Sequence, residues 1–99
     1  MALKKIHRHG DSRLCGATTT VTGQSTVYAN GKLVSVNGDP NTDGAGALSA
    51  GSNNVYAGGK KVVNHTPDSA APDDLCIPVG GAHCGPSTAS GSPDVYVGD

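Results

Sequence analysis

Phenylalanine and tryptophan are absent, and the three tyrosines are the only aromatic residues among 99. Val, Leu and Ile together number seventeen, against fifteen glycines. A chain of this size with so few large apolar side chains cannot rely on its core alone, and such chains often add a metal, disulfides or a partner. There is no excess of positive charge: the net charge of −1 argues against a basic nucleic-acid surface. No apolar run approaches the roughly 20 residues of a membrane span. The start Met1-Ala2-Leu3-Lys4-Lys5-Ile6-His7 has no apolar centre of a signal peptide, so folding in a cytoplasm is expected. Low aliphatic content can signal disorder, but that reading requires high net charge and no regular pattern.

A regular pattern is present. Val27-Tyr28, Val55-Tyr56 and Val95-Tyr96 use all three tyrosines, and five residues before each stands Gly23, Gly51 or Gly91. Thirteen residues before each tyrosine stand Cys15, Asp43 and His83. A repeat of this kind is one supersecondary unit, and equivalent positions of closed copies meet around a common axis. The segment Thr26 to Val36 is two β-prone runs around Asn30-Gly31, the strongest two-residue hairpin signal. Asn54 to Val63 repeats it around Gly58-Gly59. The third copy stops at Val97-Gly98-Asp99, and its missing return strand is at the other end of the chain. Gly10-Asp11 after Lys4 to His9 matches Gly38-Asp39 and, one residue longer, Pro67-Asp68. The N- and C-terminal strands are therefore expected to pair, closing a pseudo-threefold all-β domain over 1–99.

Gly/Ser/Thr-rich connections join each Asp to the next Val-Tyr. The third carries an eleven-residue insertion, because Asp68 to His83 takes fifteen steps where the other copies take four. Pro72, Pro78, Gly80 and Gly81 make that insertion loop rather than helix. No segment has a useful helical period.

A structural metal site needs about four thiolate, imidazole or carboxylate groups converging on one ion. Cys15, Asp43 and His83 supply three by register. The fourth is expected from the inserted loop, with Cys76 the leading candidate and Cys84, His9 and His65 as alternatives. Plainer readings stand beside this one. The three cysteines could instead be small buried hydrophobes or, in an oxidising setting, one disulfide and a free thiol, which the lack of a secretion signal disfavours. Asp43, followed by Gly44, suits a turn, and Asp11, Asp39 and Asp68 suit caps of the connection turns. His9 and His65 suit structural hydrogen bonds. His7 falls with Lys5 on the N-terminal strand and is expected to be exposed. Cys15 or Cys84 with His83 would make a nucleophile and base, but no orienting third group or cleft is evident, so an enzyme is not expected.

Gly-Asp, a ligand-bearing loop, Gly-Ser-x-x-Val-Tyr, Asn-Gly-Lys and a return strand to Gly-Asp form a pattern that resembles the PAAR-repeat family over nearly the whole chain. Members of that family tip the spikes of contractile injection machines. The resemblance implies a small cone of short strands whose base sits on a trimeric β-helical spike protein and whose apex holds one iron or zinc ion through His and Cys. His83-Cys84-Gly85 matches the family's His-Gly-Gly-like loop, and Cys15-Gly16-Ala17 and Asp43-Gly44-Ala45 match it with substitutions; Asp43 stands where the family has histidine. The namesake tetrapeptide is reduced to Arg8 in Lys5-Ile6-His7-Arg8. Tyr28, Tyr56 and Tyr96, beside the hairpin turns and opposite the ligand loops, are assigned with Leu33 to the spike-binding base. The small size looks most like members on contractile phage tails, implying a place at the virion's tail tip, assembly in the host cytoplasm and transient contact with a target cell envelope. Alternatives are a type VI secretion spike tip and a free-standing metal-binding module.

Overall fold

Two consecutive left-handed residues form the turn of each of the two continuous hairpins. Asn30 and Gly31 have φ of 55° and 76°, and Gly58 and Gly59 have 59° and 81°, the signature of a type I′ turn whose twist suits two paired strands. The computed structural model describes residues 3–52, 54–65 and 67–97. Its strands are β1 (Lys4–Ile6), β2 (Tyr28–Ala29), β3 (Lys32–Leu33), β4 (Tyr56–Ala57), β5 (Lys60–Lys61), β6 (Asn64–His65) and β7 (Tyr96–Val97). No α-helix occurs among the described residues, and the insertion contains a single 3-10 turn at Gly81–Cys84. The fold is therefore all-β and built of small antiparallel sheets, as expected. Gly98-Asp99 and the first two residues of the expected 1–99 domain lie outside the described residues.

The register repeats. Tyr28 pairs with Leu33 in β2–β3, Tyr56 with Lys61 in β4–β5, and Tyr96 with Lys5 between β7 and β1. The N- and C-terminal strands thus complete the third hairpin. β6 lies on the other side of β1, with Ile6 opposite Asn64. The equivalent pairs Arg8 with Val34 and Val36 with Val62 continue this ladder around the molecule.

At the centre the ladder closes. His7 N–H donates to the Val63 carbonyl at 3.1 Å, Val63 N–H to Ser35 at 2.9 Å, and Ser35 N–H to His7 at 2.9 Å. All three residues have no exposed surface, so each buried backbone donor finds its acceptor in the next repeat. The apolar core lies around this ring: Ile6, Val34 and Val62 with Ala29, Val36 and Ala57, against which Val55, Val95 and Val97 pack.

The glycine-rich connections are not free loops. Thr19 bridges Asn41, Leu48 bridges Ala70, and Thr88 bridges Arg13. One step further, Thr42 N–H donates to Thr18, Ala71 to Ala47 and Leu14 to Ser87, each at 2.9 Å. Rung by rung, each connection is hydrogen-bonded to the next, moving away from the hairpins. Asp11, Asp39 and Asp68 cap the turns as expected, accepting from Arg8, Val36 and Asn64 N–H at 2.8, 2.8 and 3.0 Å. Asp39 also accepts from Gly23 N–H at 2.8 Å and Asp68 from Gly51 N–H at 2.6 Å. That approach explains the repeated glycine, because a Cβ on Gly51 would collide with the Asp68 carboxylate.

His7 corrects the expectation of exposure. Beyond Ile6 the strand crosses the central axis, so Ile6, His7 and Arg8 are all buried and alternation ends. His7 Nδ1 donates to the Ser90 carbonyl at 2.8 Å, which leaves Nε2 to accept from Thr19 Oγ1 at 2.6 Å. Burial pushes its pKa down to about 4, with the Ser90 carbonyl opposing. Because the unfolded chain binds this proton more tightly, stability is full above about pH 6.5 and is lost as pH falls towards 4. The loss is about 3 kcal/mol. Thermal melts of chelator-treated protein from pH 7 to 4.5 should show a decline that His7→Gln, which cannot charge, largely removes; identical slopes in the two proteins would contradict the assignment.

Candidate metal centre

Two matching turns present the first two candidate ligands. Arg13 N–H donates to Ala17 and Gly16 N–H to Arg13, at 2.8 and 3.0 Å. In the next repeat Asn41 N–H donates to Ala45 and Gly44 N–H to Asn41, at 2.9 and 3.2 Å. Gly16 and Gly44 both have positive φ, 91° and 88°, and each follows its ligand, Cys15 or Asp43. In the third repeat His83 lies in the 3-10 turn. Its carbonyl accepts from Asp73 N–H at 2.9 Å, which draws the start of the insertion into the same place.

The result is a cluster of Cys15, Asp43, Asp73 and His83, with one ligand atom from each lying within 4.8 Å of all the others. Asp73 Oδ2 is 3.1 Å from His83 Nδ1 and 3.7 Å from Cys15 Sγ. Asp43 Oδ2 is 3.5 Å from His83 Nδ1 and 4.0 Å from Cys15 Sγ. Ligands bound at 2.0–2.3 Å around a tetrahedral ion stand roughly 3.3–3.8 Å apart. The observed spacings bracket that range, so an ion fits with small side-chain movements. One thiolate, one imidazole and two carboxylates suit zinc or iron(II).

The register correctly brings Cys15, Asp43 and His83 together. Cys76 is not the fourth ligand: it is disulfide-bonded to Cys84, which removes both sulfurs from coordination and leaves Cys15 as the free thiol. His9 and His65 are not in the cluster either. His9 Nδ1 accepts from Val21 N–H at 3.0 Å, and His65 Nδ1 hydrogen-bonds Thr88 Oγ1 at 2.9 Å. Asp73 takes the fourth place. The insertion breaks the repeat register at this point, and the remaining signal was the Asp73-Asp74 pair beside two cysteines close enough to bond each other.

Electrostatics favour a cation here. Burial pushes the Cys15 thiol pKa up; the Ala17 N–H opposes this, and the Asp73 and Asp43 carboxylates add to it. A bound cation reverses that balance by stabilising the thiolate. Burial also raises the Asp73 pKa, but hydrogen bonds from Asn41, His83 and the Leu75 N–H outweigh it and hold the carboxyl below its ordinary value. Asn41 orients both acids: Nδ2 donates to Asp73 Oδ2 at 2.9 Å, and Oδ1 accepts from Asp43 N–H at 3.0 Å. Such supporting hydrogen bonds fix ligand geometry in metal sites.

Beneath the cluster lies Arg13, 2% exposed. Its Nε donates to Thr19 Oγ1, one terminal nitrogen to the Gly46 and Pro86 carbonyls, and the other to the Asp39 carbonyl, at 2.6–3.1 Å. One guanidinium thus ties all three connections together. Burial lowers its pKa to about 10, opposed by Cys15, Asp39 and Asp73.

At the hairpin end, Tyr28, Tyr56 and Tyr96 are exposed, and Leu33 is half-buried opposite Tyr28. A shallow groove there is lined by Asn37, Tyr56, Lys60 and Lys61, and shares no residue with the metal cluster. Comparison with family models and with curated proteins gives no match for this chain, so the reading of the site rests on its own geometry.

Proposed function

We propose that this protein is a metal-stapled spike tip, a PAAR-like cone that caps the blunt end of a trimeric β-helical spike in a contractile injection machine such as a phage tail. The observation that carries this reading is the threefold recurrence of hydrogen bonds within one chain. A monomer with threefold recurrence can present equivalent contacts to a true trimer. The metal, zinc or iron, is structural: it joins the ends of three connections that have few apolar contacts, where axial force would fall.

The hairpin face is the docking surface. Tyr28, Tyr56 and Tyr96 stand on it with Lys4, Lys32 and Lys60 at matching positions. With Lys5 and Lys61, the β-strands of this face carry five of the chain's seven Lys and Arg residues, so an acidic rim on the spike is its natural complement. Docking also covers short exposed strand edges.

Tyr56→Asp should abolish co-purification with a co-expressed trimeric β-helical spike while leaving the metal content unchanged. Retained binding would remove the tyrosine face from the interface.

A further inference from the structure

The third connection ends in a projection that the other two lack. Leu75-Cys76-Ile77-Pro78-Val79-Gly80-Gly81-Ala82 has no charged, hydroxyl or amide side chain. Ile77 is 98% exposed and Val79 65% exposed, in a chain whose core is otherwise short of aliphatic residues. The loop is closed by the Cys76–Cys84 disulfide. Part of its backbone is paired locally: Cys76 N–H donates to Asp73, Val79 and Gly80 N–H to Leu75, His83 N–H to Gly80, and Gly85 N–H to Ala82. Leu75 N–H donates to Asp73 Oδ1, and Pro78 has no N–H.

These properties select the occupant. A stable protein interface covers roughly 800 Å² on each partner, which two or three protruding aliphatic side chains cannot supply. A lipid interface takes an apolar tip with no charge to desolvate, and at interfacial depth the remaining backbone donors still reach water and headgroups. We propose that the Ile77-Pro78-Val79 tip inserts into the interfacial region of a lipid bilayer, held in shape by the disulfide behind it. This contact is independent of whether the hairpin face caps a spike.

Vesicle flotation with the full, oxidised chain tests it. Wild-type protein should float with neutral phosphatidylcholine vesicles at low and high salt, and Ile77→Asp/Val79→Asp should reduce the bound fraction at least tenfold with unchanged metal content. The chain contains no tryptophan, so Ile77→Trp provides a single reporter whose emission should shift to the blue on adding vesicles. The proposal is overturned by no flotation, by equal flotation of the double variant, or by an unshifted tryptophan. Binding only to anionic vesicles and lost at high salt would overturn it in favour of the lysine face. A wild-type dimer dispersed by Ile77→Asp, without flotation, would overturn it in favour of a second copy.

Discussion

Treating the protein with a strong chelator should lower the melting temperature by roughly 10–20 °C. Free ion at about 100 times its dissociation constant contributes about 2.7 kcal/mol to the folded state, and each kcal/mol moves the melting point of a domain this size by about 4–8 °C. The effect is large because the cluster joins parts of the chain that little else holds. Cys15, Asp43 and His83 come from three connections, and the buried aliphatic core lies with the hairpin layer. Asp73→Asn and His83→Ala should melt near the chelated wild-type temperature and show no further shift with chelator. A wild-type melting curve unaffected by chelator would show that the cluster does not depend on an ion.

Arg13→Met should cost still more. Methionine approximates the length of the arginine stem but supplies no donor, so the Gly46, Pro86 and Asp39 carbonyls lose their guanidinium. A buried acceptor left unpaired costs about 1–3 kcal/mol, so three imply a loss of about 3–9 kcal/mol, a large part of the 5–15 kcal/mol typical of a domain. Urea unfolding should show a midpoint lowered by roughly 1–4 M, or no folded baseline at all. Arg13→Lys keeps the charge but not the planar fork and should recover only a minor part. A Met variant with a wild-type midpoint would mean that water or rearranged backbone replaces the guanidinium.

The parts of this structure legible in the sequence are those governed by short-range rules. Asn30-Gly31 and Gly58-Gly59 specify their turns because type I′ geometry needs two left-handed residues. The pairing of the N- and C-terminal strands followed from counting the third copy's missing return strand. Counting also brought Cys15, Asp43 and His83 together, since equivalent positions of a closed repeat share a radius and height.

The parts that were not legible depend on departures from the repeat. Asp73 lies in the insertion, where counting has no register to follow. Cys76 had the right chemistry for a ligand, but Cys84 eight residues later offers a competing bond within the same tight loop. His7 obeyed strand alternation only as far as Ile6, because closure of the hydrogen-bonded ring turns three successive residues inward. Arg13 occupies the position filled by Asn41 and Ala70 in the other copies. Nothing local distinguishes it from a surface arginine, because its acceptors come from distant loops.

X-ray absorption at the metal edge of purified, oxidised protein tests the central claim most directly. The account predicts one zinc or iron per chain with a single sulfur neighbour at about 2.3 Å, from Cys15, and nitrogen and oxygen neighbours at about 2.0–2.2 Å. Two or more sulfur neighbours would return Cys76 or Cys84 to the site, and a metal-free protein would contradict the cluster as a binding site.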